Sequence, residues 1–232
     1  MAAALLLNRL HPTPGTLEAA SVFDDVDFGA LAPGDRPYVV VNMVTSADGR
    51  ATLAGKTKDL SSDADRLVFH ALRASVDAVM VGTGTVRAER YGRMVPKQSN
   101  RDRRAARGLE PEPLAIVLSR SGAFPEDAPL FTDPEARVMR AHTASPAEAI
   151  RRAREEHSVR SVLCEGGPTI NGAVLDDGIL DELFLTVSPA LVAGEDPLTI
   201  VQGGRGPAPL ELRWVLEEGG TLFLRYAVTR AG

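Results

Sequence analysis

Glu165-Gly166-Gly167-Pro168-Thr169 sets a carboxylate, two adjacent glycines and a helix-starting proline at the end of the apolar run 159–164. Glycines admit a ligand close to the backbone, and Pro168 suits the first turn of a helix whose free N–H groups and positive dipole end point outward. This is phosphate-binding chemistry. A carboxylate repels phosphate, so Glu165 is better matched to a donor-rich ring in the same crevice. Taken alone, E-G-G-P is also a tight turn between a strand and a helix. The strand expected from Glu182 to Pro189 follows at once, however, and completes a β-turn-α-β unit of the kind that builds nucleotide crevices.

Three further strand ends carry reactive types. Asn42 lies within an apolar strand that ends in Thr45-Ser46-Ala47-Asp48-Gly49, where hydroxyls and a carboxylate meet a flexible glycine; Asp48-Gly49 is equally a good turn. Gly82-Thr83-Gly84-Thr85, followed by Glu89, offers backbone N–H groups and hydroxyls to phosphate. It is no Rossmann fingerprint, because Arg87 stands where the third glycine would be, and it lacks the GK[ST] ending of a P-loop. Ser119-Arg120-Ser121 is either a turn or a grip on the 2′-phosphate that distinguishes NADPH from NADH. Arg73, in the last turn of a helix, either caps that helix or reaches a phosphate.

The elements that position these groups follow from periodicity. Strands are expected at 36–44, 77–81, 113–118, 135–141, 159–164, 182–189, 198–201, 210–216 and 221–229, the last two joined by the hairpin signal Glu217-Glu218-Gly219-Gly220. One helix starts at a Ser61 or Ser62 cap and runs to about Ser75. A second starts with the capping box Ser145-Pro146-Ala147-Glu148. Residues 93–112 are basic without an apolar face and read as a mobile surface excursion. Residues 1–35 show no sustained period and read as an N-terminal arm, packed on a partner subunit.

At 232 residues with 44% hydrophobic content the chain can bury a substantial core. A net charge of −5 argues against nucleic acid or an anionic membrane as partner. A single cysteine, Cys164, leaves neither a disulfide framework nor a cysteine zinc site, which fits a reducing cytoplasm. No metal site is expected.

N-M-V-T-S-A-D-G at 42–49, V-G-T-G-T-V at 81–86 and E-G-G-P-T at 165–169, in that order, resemble the reductase domain of bacterial riboflavin biosynthesis. The likeness extends to D-R-L-V-F-H-A-L-R and L-D-E-L-F-L-T-V-S-P and covers about residues 36 to 228. This pyrimidine reductase family implies a dihydrofolate-reductase-like fold: α/β, three-layer α/β/α, with a mixed, mainly parallel sheet closed by an antiparallel C-terminal edge. Residues 36–232 would form the single reductase domain. The family also implies NADPH, with Thr85 and Glu89 along it and Gly166, Gly167, Pro168 and Thr169 at its pyrophosphate; Gly82, Gly84, Ser119 and Arg120 are the phosphate partners that the residues themselves suggest beside these. Asn42, Ser46, Arg73 and Glu165 would line the substrate side, Arg73 meeting the sugar phosphate and Glu165 the pyrimidine. Asp48 is the expected proton donor. The H-x-E and P-C-x-x-C zinc signature of the family's deaminase domain is not in this chain, so no deamination is expected of it. The loop Glu89-Arg90-Tyr91-Gly92-Arg93 departs from the aspartate-led acidic run of the riboflavin enzymes and is closer to stand-alone members.

The activity implied is NADPH-dependent reduction of the ribosyl chain of 5-amino-6-(5-phosphoribosylamino)uracil. Alternatives are a dihydrofolate-reductase-like pterin reductase and a non-catalytic NADPH-binding subunit. A homodimer is expected, because apolar edge strands at 183–188 and 222–228 would be a liability if exposed.

Overall fold

The computed structural model describes residues 4–52, 58–194, 198–204 and 206–229. Ten strands form one sheet: β1 (Leu6–His11), β2 (Gly15–Glu18), β3 (Tyr38–Ser46), β4 (Ala78–Gly82), β5 (Leu114–Leu118), β6 (Arg137–Ala141), β7 (Ser161–Gly166), β8 (Glu182–Ser188), β9 (Leu210–Glu218) and β10 (Thr221–Val228). Their order is β2-β1-β9-β10-β8-β3-β7-β4-β5-β6. From β8 to β6 all neighbours run parallel, whereas β10, β9, β1 and β2 are antiparallel, giving the mixed sheet expected.

The parallel strands are central because their apolar residues serve both faces. In β3, Val40 joins the core with α1 (Asp63–Arg73) and α2 (Thr83–Glu89), while Val39 and Val41 join the opposite core with α5 (Pro146–His157) and α6 (Pro168–Asp176). Helix starts follow local chemistry. Ser62 caps α1 by accepting the Asp65 N–H, and Ser145 caps α5 by accepting that of Glu148. The expected return bond of the α5 capping box is relayed: Glu148 accepts the Thr143 hydroxyl, whose oxygen accepts the Ser145 N–H.

Four expectations change. Residues from the N-terminal segment enter the protein's own core: β1 pairs with β9, and Leu7, Ala19, Phe23 and Phe28 are buried beside Phe184 and Phe223. Phe23 meets Phe184 edge-on at 5.1 Å. Buried phenyls contribute about 1.5–3 kcal/mol each, so this segment stabilises the sheet it covers. Its hydrophobic residues fall in β-strand, turn and 3₁₀ geometry in quick succession, which leaves no single period to read.

Residues 93–112 are tied down and contain α3 (Gln98–Ala106). Arg104, fully buried, donates to the carbonyls of Arg73, Val76 and Glu110, and Glu112 accepts the N–H groups of Met94 and Val95. The anchors are a guanidinium and a carboxylate, so no apolar stripe marks the helix.

Residues 198–201 form no strand; they are a loop stapled by Ala51 N–H to Leu198 O and by the Asn171 amide to Ile200 O. Finally, β8 and β10 are interior strands with neighbours on both sides, and the sheet's edges are β2 and β6. The edge argument for a dimer therefore falls away.

Candidate active site

Beyond the carboxyl ends of β3, β4 and β7 lies a cavity of about 520 Å³. One stripe of α1 forms a wall: Asp65, Phe69 and Arg73 at successive turns, with Arg66 and His70 beside them. The adjacent stripe, Ala64, Val68, Ala71 and Leu72, packs into the core. Asn42 on β3, Gly84, Thr85 and Glu89 on α2, and Gly167-Pro168 at the start of α6 complete the enclosure. The Asn42 amide has no hydrogen bond to a described residue.

At the floor, β7 slips against β4: Met80 pairs with Cys164 and Val81 with Gly166, leaving Glu165 opposite no residue. Such a bulge re-aims its side chain. Glu165 Oε1 accepts Arg73 Nε at 2.5 Å, and Oε2 accepts Arg73 Nη2 at 2.5 Å and the Tyr91 hydroxyl at 2.9 Å. Arg73 is clasped between the Phe69 and Tyr91 rings, 4.3 and 5.0 Å from their centroids, and its Nη1 donates to Met94 O. Burial alone would lower the Arg73 guanidinium, but the charge and hydrogen bonds of Glu165 raise it above its ordinary value. Burial, then the Glu165 charge, pushes the Tyr91 phenol up, so it stays protonated and donates. Burial, then Arg73, lowers His70, which keeps that imidazole neutral at pH 7.

Residues 37–219 match the family described as the RibD C-terminal domain. The chain belongs to that family. It is 36% identical over 181 residues to the riboflavin biosynthesis protein RibD of Mycobacterium tuberculosis H37Rv, covering 77% of this chain and 49% of that one, so it spans about half of the longer relative. It is 27% identical over 191 residues to the 2,5-diamino-6-ribosylamino-4(3H)-pyrimidinone 5′-phosphate reductase of Archaeoglobus fulgidus, covering 72% of this chain and 87% of that one. A pyrimidine reductase-like protein of Corynebacterium diphtheriae shares the fold, with a TM-score of 0.76, 23% identity and coverage of 93% of this chain and all of that one.

The family motifs do not all converge on the cavity. Asn42, Arg73, Gly84, Thr85, Glu89, Glu165, Gly167 and Pro168 line it; Ser46, Asp48, Gly82, Ser119, Arg120, Gly166 and Thr169 do not. Arg73 and Glu165, expected to address two parts of one ligand, are each other's partners, because a carboxylate buried at a bulge needs a cation. Asp48 accepts the Ser46 hydroxyl at 2.5 Å and the N–H groups of Val192 and Ala193. The Ser46 hydrogen bond first, then those backbone donors, hold its carboxyl far below the usual range. Asp48 is ionised at neutral pH and has no proton to give; it and Ser46 staple the loop after β8 to the end of β3. Gly82 leaves room for the Ile170 side chain, and a Cβ at Gly166 would collide with the Asn171 amide. The Ser119 hydroxyl donates to Ala123 O, and Arg120 is exposed beyond β5. Thr169 is exposed.

Asp65, Phe69, His70 and Tyr91 were not singled out as site residues in the sequence. A signal existed for the first two: Asp65 and Phe69 stand eight and four residues before Arg73, on its stripe. Tyr91 carries no such signal, since a loop's path decides where it points.

Proposed function

We propose that this chain is an NADPH-dependent reductase of the ribosyl chain of a phosphoribosylamino-pyrimidine in riboflavin biosynthesis, of the 5-amino-6-(5-phosphoribosylamino)uracil type. The observation that carries the reading is one cavity floored by a buried Arg73–Glu165 pair and bounded by the starts of two helices, in a chain of the RibD C-terminal family. The relatives' names supply the reaction class.

The residues fit the cofactor. Gly167, the N-cap of α6, has no side-chain cap bond and a φ of 102°, and a Cβ there would meet only the Thr85 hydroxyl, at 3.6 Å. Gly84 faces open space. Gly167, Pro168, Gly84, Thr85 and Glu89 would hold NADPH, which when bound supplies a hydride. This chain's part is to place the sugar carbon and exclude water. The apolar ring of Phe69 and the closed Arg73–Glu165–Tyr91 floor serve the second task. A role for Arg120 at the 2′-phosphate rests on its charge and its place beyond β5.

Incubation with NADPH and the phosphoribosylamino-pyrimidine should consume the nicotinamide absorbance and yield the ribityl product by mass spectrometry, faster than with NADH. Turnover of dihydrofolate alone would point to the pterin reading. No turnover of any of these, with NADPH bound, would leave the non-catalytic reading.

Our reading includes a cytoplasmic homodimer, now motivated by a face and not an edge. On one side of the antiparallel end Leu183, Leu185 and Val187 lie opposite Tyr226, Leu224 and Leu222, all only half-buried. On that side α5 and α6 lie over β5 and β7. Leu185→Asp combined with Leu224→Lys should convert a sedimenting dimer to monomer; a wild type that sediments as monomer at micromolar concentration defeats this part.

A further inference from the structure

Reduction of a ribosylamino group sets a condition at the sugar. Its C1′ is saturated, bonded to the exocyclic nitrogen and to the ring oxygen O4′, and offers no site for a hydride. A ribityl chain therefore requires the C1′–O4′ bond to break and a C1′=N bond to form first, with one proton leaving the nitrogen and one reaching O4′. Most titratable groups in the cavity are engaged elsewhere. Glu165 holds the Arg73 fork and the Tyr91 phenol, and that contact keeps the phenol protonated. Asp65, 6% exposed, accepts the hydroxyls of Thr186, at 2.6 Å, and of Ser61. Glu89 is exposed on α2, beside Thr85 and Gly84. His70 is different. Its half-buried ring lines the cavity next to Phe69, 5.5 Å between centroids, and among the described residues neither of its nitrogens has a hydrogen-bond partner.

We propose that His70 opens the sugar ring of the substrate, carrying a proton from the exocyclic nitrogen to O4′. The inference rests on the reductase reading above and adds a catalytic group to it. A neutral imidazole nitrogen takes the N–H proton, and the freed electron pair forms the C1′=N bond. The C1′–O4′ pair departs with O4′, which receives the same proton from the imidazolium. Both atoms are bonded to C1′, so one ring nitrogen reaches them in turn. The step is neither an oxidation nor a reduction and needs no co-reactant. It leaves C1′ able to accept the hydride that bound NADPH supplies. The surroundings keep the imidazole in the form that starts this transfer. Burial first, then Arg73 one turn on and Lys97 at the start of α3, oppose a positive ring, and Glu165, which favours one, is matched by Arg73. Arg66, one turn before, is a further cation on the same helix.

The alternative is that His70 only walls the cavity. Ring opening and reclosure interconvert the two anomers of the sugar, so the step can be followed without NADPH, by NMR exchange spectroscopy on the phosphoribosylamino-pyrimidine labelled at C1′. Wild type should speed anomer exchange above its rate in buffer. His70→Gln keeps a polar side chain but cannot hold and return a proton, and should lower that acceleration about 100-fold while binding the nucleotide as wild type does. A wild type that does not speed exchange overturns the proposal, as does a variant that matches it or one that loses exchange only because it no longer binds. In His70→Ala, added imidazole should restore exchange and pyrazole, of the same size but far less basic, should not; equal rescue by both would mark a filled gap and not a proton carrier. NADPH consumption is read separately. Exchange without NADPH turnover defeats the reductase reading and leaves the role of His70 standing, whereas turnover without faster exchange does the reverse.

Discussion

Glu165→Gln should lower the stability of the protein by about 3–5 kcal/mol, the usual cost of removing one partner from a buried ion pair. The amide keeps the shape of the carboxylate but leaves the Arg73 guanidinium, 7% exposed and pressed between two rings, without a counter-charge. The Tyr91 hydroxyl loses a charged acceptor at the same point. For a chain of this size the urea slope is at the upper end of the roughly 1–3 kcal/mol per M range, so the midpoint should fall by more than about 1 M. Arg73→Met should do comparable damage by burying a lone carboxylate. The double variant Arg73→Met with Glu165→Met should recover most of the loss, since both charges leave together. An unchanged midpoint in Glu165→Gln would mean that the pair is not formed as described. The experiment also changes how activity data should be read: a dead Glu165 variant reports a collapsed floor before it reports a lost substrate contact.

Gly167→Ala should weaken NADPH binding by about 10–100-fold in a fluorescence titration. A φ of 102° is outside the regions open to residues with a Cβ, and strain of about 1–3 kcal/mol would pull the turn toward a different path. Space is not the obstacle, since the nearest atom to the added methyl is 3.6 Å away. The backbone N–H groups at the start of α6 would therefore be re-aimed, and affinity should be lost at tenfold per 1.4 kcal/mol. Gly84→Ala makes the contrast. Its methyl meets open space within a helix, so it should stabilise the fold by up to about 1 kcal/mol while intruding on the cofactor. If Gly167→Ala binds NADPH like wild type, the start of α6 does not hold the pyrophosphate.

Much of the frame was legible because it is encoded by neighbours along the chain. The Ser62 and Ser145 caps, the proline that opens α6 and the hairpin between β9 and β10 lie where composition and period placed them. The same holds for the glycine turn after β7, where positive φ at 166 and 167 demands residues without a Cβ. The family resemblance likewise rests on short motifs at strand ends.

The tertiary structure alone decided which charges meet. Arg73 and Glu165 are 92 residues apart and carry opposite charges at the ends of different elements, so sequence permits each a ligand of its own; only the β7 bulge and the seating of α1 bring them to 2.5 Å. Asp48 and Asp65 differ in the same way. Both are aspartates beside serines near a strand or helix end, but one is pulled outward to hold a loop and the other inward against Thr186. Strand neighbours are also nonlocal, which is why β8 and β10 read as edges and proved interior, and why an aperiodic N-terminal segment could be a pair of strands. By itself the sequence determined the elements, their caps and the kind of chemistry available, because those depend on residues a few positions apart. Which acidic group is neutralised and which is left facing the cavity depends on contacts between residues far apart in the chain, and the packed fold settles it through the cost of burying a charge without a partner.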